Sequence, residues 1–101
     1  MQKPCGYQVL FTEEAKNAYS RIRSLGDLKE VNDVLRVLDT VPGIGREYDP
    51  VYAAARPPFA VMVAYAGHFG IYYVVSEEQH EVQVYFIEDQ RRDPLNRFGS
   101  H

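Results

Sequence analysis

The 101-residue chain has one cysteine, no tryptophan and three histidines, and each scarcity removes a class of function. A lone Cys5 cannot close an internal disulfide, and no His and Asp spacing around it suggests a nucleophile, so a structural or incidental thiol is expected. His68, His80 and His101 are too scattered for a metal site, and no cofactor is implied. No apolar run approaches the roughly eighteen residues of a membrane span, and the N-terminus lacks a basic segment leading into an apolar one. The expectation is a cytoplasmic protein without membrane contact. Positive charge is short as well: 11 Lys and Arg against 14 Asp and Glu leave a net charge of -3. That balance argues against a surface given over to nucleic acid, while leaving a local basic site open.

What remains is an ordinary globular composition, 46% hydrophobic and 25% charged, of a length that suits one domain over 1–101 with its core at about 7–97. No repeats or low-complexity tracts divide it. Tyr7 to Phe11 alternates as a strand, with Tyr7, Val9 and Phe11 on one face. Thr12 caps a helix that carries Glu13 and Glu14 in its first turn. Ala15, Ala18, Tyr19, Ile22 and Leu25 form its apolar stripe, and Gly26 is expected to end it. Asp27 is expected to cap a second helix through Leu28, Val31, Val34, Leu35, Leu38 and Val41, stopped by Pro42-Gly43. Ile44 to Pro58 reads as a loop or irregular edge because prolines interrupt it.

From Phe59 onward the pattern is continuous sheet. Strands are predicted at Phe59 to Tyr65, Phe69 to Val75 and His80 to Ile87, joined by short turns as an antiparallel meander. The order β-α-α-β-β-β implies an α+β fold in which a helical hairpin covers one face of a mostly antiparallel sheet. The other face is expected to stay open. Tyr72 and Tyr73 point to opposite faces, so one of the two faces the helices. Eight tyrosines suit either base stacking, at about 1–3 kcal/mol per base, or ordinary half-core packing, and packing is favoured for most. Tyr48, Tyr52 and one strand tyrosine are candidates for an exposed patch.

The last strand runs into Glu88-Asp89-Gln90 and then Arg91-Arg92-Asp93-Pro94. Paired guanidinium groups at a strand exit bind phosphate or carboxylate bidentately. A solvated loop with salt bridges is the simpler reading, and Glu77, Glu78, Glu81, Glu88 and Asp89 weaken the case for tight phosphate binding. Gly99-Ser100-His101 reads equally as a native tail or an expression remnant.

The leading Val9-Leu10-Phe11-Thr12-Glu13-Glu14-Ala15, the strand Gly70-Ile71-Tyr72-Tyr73-Val74-Val75 and the terminal Arg91-Arg92-Asp93 together resemble the RelE/ParE toxin superfamily. The likeness spans Tyr7 to Arg97 and implies the toxin component of a bacterial type II toxin-antitoxin system, held by a cognate antitoxin. It also implies a target: the ribosome with its messenger RNA, in the metal-free endoribonuclease (mRNA interferase) branch, or DNA gyrase. A catalytic set carried over by position or type comprises Arg91, Arg92, Tyr72 and His80, with His68 as a further proton relay. Cleavage needs a base for the ribose 2′-hydroxyl, cations for the charge developing on phosphorus and an acid for the leaving oxygen. The chain departs from that kit at Gly70, where nuclease members carry arginine, and at Ala60, Met62 and Ala64. Arg56 is the nearest cation there. The preferred expectation is therefore a toxin acting by, or controlled through, protein binding, with the endoribonuclease and a non-toxic interaction domain as alternatives. Ala15, Tyr19 and Ile22 are expected to form an exposed apolar patch that an antitoxin covers, or through which a homodimer forms.

Overall fold

In the computed structural model, which describes residues 6–48 and 60–91, β1 is Gln8–Phe11, and Tyr7, Val9 and Phe11 pack under the helices as their alternation predicts. Thr12 ends the strand and starts a helix at once. Its hydroxyl accepts the Ala15 N–H at 3.2 Å, and Glu13 and Glu14 fill the first turn of α1, Glu13–Ser20, at the positive end of the helix. This helix is shorter than its apolar stripe suggests. It stops at Ser20, and α2 spans Leu25–Thr40, which corrects both the expected stop at Gly26 and the expected cap at Asp27. Ser24 is the reason: its hydroxyl accepts the Asp27 N–H at 3.3 Å. Ser24 with Asp27 three residues on makes the capping signature, and Gly26 falls inside the first turn of α2. Pro42 halts α2 as expected, since it has no N–H to continue the ladder, and a 3-10 turn follows at Pro42–Ile44.

The irregular edge expected after Ile44 holds a short strand, β2, at Arg46–Glu47; Tyr52, Arg56 and their neighbours lie outside the described residues. The meander consists of β3 (Met62–Ala66), β4 (Phe69–Ser76) and β5 (Glu81–Asp89). Gly67 turns β3 into β4 at φ 60, a conformation glycine adopts without strain. Among the described residues, five strands make one sheet in the order β1-β5-β4-β3-β2. β1 runs parallel to β5, and the remaining pairs are antiparallel. The α+β architecture expected from the element order is the one observed.

Ala15, Val31 and Leu38 from the helices meet Ile71, Tyr73 and Val84 of the sheet with no exposed surface. Each large side chain so buried stabilises the fold by about 1.5–3 kcal/mol. The opposite face is not left open as expected: Val61, Val63, Tyr72 and Phe86 form a second buried cluster there. A β-bulge explains how. Tyr72 pairs with Phe86 but Tyr73 pairs with Val84, so β5 carries one extra residue at Tyr85. That insertion lets Val82, Val84 and Ile87 all face the helices while Phe86 lands beside Tyr72 on the other side.

Candidate functional site

The exit of β5 is where the sequence places its cations, and its geometry is set by Asp89. Arg91 Nη2 lies 2.7 Å from Asp89 Oδ2, and Arg91 Nε lies 3.0 Å and 3.2 Å from the two carboxylate oxygens. The Arg91 backbone N–H also donates to Asp89 Oδ1 at 2.9 Å. The side-chain bond from Arg91, aided by that backbone N–H, holds the Asp89 carboxyl down at about 2, and the same bond raises the Arg91 guanidinium above its ordinary value. Such a fork is the strong form of ion pair. Arg91 is thus committed to a carboxylate of its own chain. Arg92, the other half of the pair, lies outside the described residues.

A second contact closes the corner. The β3–β4 turn presents His68, whose Nε2 sits 3.3 Å from Asp27 Oδ2 in the first turn of α2, out of line for a hydrogen bond. The His68 carbonyl accepts the Gln90 N–H at 2.7 Å. Three elements, the start of α2, the β3–β4 turn and the β5 exit, are therefore joined by short polar contacts.

On the outer face, Gln90 Nε2 donates to the Tyr72 hydroxyl at 3.0 Å, and the Tyr48 ring meets Tyr72 edge-on at 4.8 Å. Tyr72 has no exposed surface. Gly70 pairs with Glu88 and lies beneath this arrangement. A Cβ at position 70 would be 2.6 Å from Gln90 Nε2 and 3.0 Å from the Tyr72 hydroxyl. The position where a nuclease kit wants an arginine is thus filled by neighbours, and its cross-strand partner is a buried carboxylate, Glu88.

His80 stands elsewhere. It precedes β5 whereas Arg91 follows it, so a nine-residue strand separates them, roughly 25 Å or more at about 3.3 Å per residue. Its backbone adopts φ 56, its ring stacks on Tyr7 at 4.5 Å, and Tyr7 in turn donates to Glu77 Oε1 at 2.6 Å. The candidate set Arg91, Tyr72 and His80 is accordingly not brought together: one member is ion-paired, one buried and one at the far end of the sheet.

The candidate partner surface also shifts. Ala15 is fully buried, and Tyr19 and Ile22 pack against the same core; the Tyr19 hydroxyl donates to Asn32 of α2 at 2.7 Å. Their stripe faces the chain's own sheet. Exposed apolar surface lies instead along Val37 (43%), Val41 (50%) and Ile44 (46%), with Leu25 at 82% and Tyr65 at 45%. Sequence reasoning missed this because periodicity assigns Val41 to the core face, whereas α2 ends one residue before it. The role of Gln90 was missed as well, and Tyr48, expected in an exposed patch, packs half-buried against Tyr72; the spacing of Asp89 two residues before Arg91 was the readable sign of the ion pair.

No family model matches the chain, and no curated protein matches its sequence. Solved structures do share its fold. A chain of the toxin-antitoxin complex RelBE2 from Mycobacterium tuberculosis matches with a TM-score of 0.65 at 19% identity, over 83% of this chain and 98% of that one. A chain of the archaeal RelE-RelB complex from Pyrococcus horikoshii OT3 matches with a TM-score of 0.65 at 11% identity, over 86% of this chain and 98% of that one. At these identities the likeness is one of fold, and the fold is RelE-like.

Proposed function

We propose that the chain is the toxin component of a toxin-antitoxin pair and that it acts by binding its target instead of cutting RNA. The fold it shares with chains of two toxin-antitoxin complexes supports the first half of this reading. Fold alone does not specify chemistry, so the second half rests on the site. Its principal support is the pairing of Arg91 with Asp89, together with a Tyr72 that has no access to solvent and a Gly70 overlaid by Gln90. Losing one donor that stabilises developing charge costs about 3–4 kcal/mol of transition-state stabilisation; here Gly70 supplies no charge, Arg91 is paired and Tyr72 is buried. A cognate antitoxin would cover the exposed Val37, Val41 and Ile44, an outward apolar stripe of the kind that marks interaction sites. Cytoplasmic action fits the absence, among the described residues, of a helix long and apolar enough to cross a membrane.

Induced expression in a bacterial host, with primer extension on ribosome-bound messenger RNA, tests the reading. Growth arrest without codon-specific cuts, relieved by co-expression of a cognate antitoxin, is the expected result. Cuts by the unmodified chain that vanish when Arg91 and Arg92 are both replaced by Ala would establish the endoribonuclease alternative, and normal growth with soluble expression would remove the toxin reading altogether.

A further inference from the structure

We propose that the free edge of β1 pairs antiparallel with the β1 edge of a second copy of this chain, making one continuous sheet across a two-fold axis. The proposal goes beyond the toxin reading and does not depend on it. Among the described residues, β1 is the outermost strand on its side of the sheet. The Gln8 N–H donates to His80 O at 2.9 Å and the Thr12 N–H to Val84 O at 3.0 Å, so residues 8, 10 and 12 turn their backbone groups toward β5. Residues 7, 9 and 11 turn theirs outward. The Tyr7 N–H is taken by Asp39 O at 2.6 Å, which leaves Val9 and Phe11 as the two residues whose outward N–H and C=O have no partner among the described residues. Edge strands are ordinarily blunted by charge, proline or a bulge. Gln8-Val9-Leu10-Phe11 has none of these.

The choice of a second copy follows from register. A two-fold axis perpendicular to a sheet keeps each side chain on its own face, so the numbers of opposed residues must sum to an even value. Centring the axis on Val9 opposes Phe11 to Tyr7, whose N–H is already bonded. Centring it on Phe11 opposes Val9 to Glu13, which belongs to α1. Centring it on Leu10 opposes Val9 to Phe11 in both directions, which pairs every free outward group in about four backbone hydrogen bonds. In that register the two Leu10 side chains meet on the outer face, Val9 and Phe11 extend the apolar layer under the helices, and Gln8 faces the neutral Thr12. No charge opposes a like charge along the seam. A seam this short makes a weak dimer, one that forms with rising concentration.

The geometry can be read directly by cross-linking the full chain. Leu10 and its counterpart form a pair without mutual hydrogen bonds, with Cα atoms roughly 4.5–5.5 Å apart, within disulfide reach. In a Cys5→Ser background, Leu10→Cys is expected to give a majority of covalent dimer on mild oxidation, whereas Gln8→Cys, opposed to Thr12, gives little. Sedimentation equilibrium of the unmodified chain should show mass rising from monomer toward dimer with concentration. Leu10→Lys, which sets two ammonium groups face to face on a half-exposed position, should hold the chain monomeric with its circular dichroism unchanged. A chain that stays monomeric, with Leu10→Cys cross-linking no better than Gln8→Cys, overturns the proposal. So does a Leu10→Cys adduct that forms with a different protein in preference to its own kind.

Discussion

Replacing Tyr73 with Phe should destabilise the protein by more than any other loss of a single hydroxyl among the described residues. Tyr73 faces the helices, has no exposed surface and serves two backbone groups of the turn that ends α2. Its hydroxyl donates to Pro42 O at 2.6 Å and accepts the Gly45 N–H at 3.1 Å. Phenylalanine fills the same volume, so no cavity is created and the whole effect lies in polar satisfaction. Leaving a buried donor or acceptor unmatched costs about 1–3 kcal/mol; with two groups in a partly buried turn, the expected loss is about 2–3 kcal/mol. For a domain of this size that lowers the midpoint of thermal unfolding by roughly 10–20 °C. Tyr19→Phe, which removes one bond to the Asn32 side chain, should cost about 1 kcal/mol and serves as the comparison.

The same residue predicts an alkaline effect. Burial raises the Tyr73 pKa from 10.0, partly offset by the Gly45 N–H. A folded-state value above the unfolded one means that Tyr73 contributes its full stability below pH 10.0 and loses it as pH rises beyond. Urea unfolding at pH 7 and at pH 10.5 measures both effects: the gap between Tyr73→Phe and the unmodified protein should narrow at the higher pH. A gap under 0.5 kcal/mol at pH 7 would refute the view that this hydroxyl secures the turn.

At the β5 exit, Asp89→Asn should cost about 1 kcal/mol at pH 7, a figure discounted because Arg91 is largely exposed to solvent. Since the folded Asp89 carboxyl is held at about 2 against an ordinary 3.8, that contribution is present above pH 3.8 and disappears as pH falls toward 2, so acid unfolding curves of the two proteins should converge there. Thr12→Ala removes the cap on Ala15 N–H and a hydroxyl bond to Tyr85 O at 3.0 Å; it should cost about 1–2 kcal/mol, with Thr12→Ser close to neutral and faster amide exchange at Ala15 as the local sign.

Local chemistry made most of the fold legible. Thr12 announced α1, Pro42 announced the end of α2, and the short turns of the meander left antiparallel pairing as the simple choice. Tyr72 and Tyr73 were separable in advance into opposite faces, though which faced the helices was not. Failures arose where a contact distant in sequence or a register change intervened. An uninterrupted stripe from Ala15 to Leu25 hides the break at Arg21 to Arg23, because amphipathic spacing continues through a capping serine. The bulge at Tyr85 has no signature in a run of alternating β-formers, and it alone moves Phe86 onto the outer face. A site read by adding residue types also assumes that they converge, yet Arg91 and His80 sit at opposite ends of the same strand.

That dispersal bears on mechanism. For Arg91 to clamp a phosphate it must leave Asp89, breaking a fork of three close N–O contacts. The loss of the pair itself is modest, about 1 kcal/mol for partly exposed partners. The larger obstacle is what stays behind: an ionised Asp89 beside the phosphate, with Glu88 buried one residue away. Like charges at a few ångströms repel by about 4 kcal/mol near a protein surface, the same size as the attraction the arginine would gain. A partner's arginine or lysine meets a smaller obstacle: Arg91 already pairs with Asp89, but Asp27 lies in the same corner and leaves these three side chains net negative. The electrostatics of this end of the sheet therefore weigh against an RNA backbone and toward a basic protein surface.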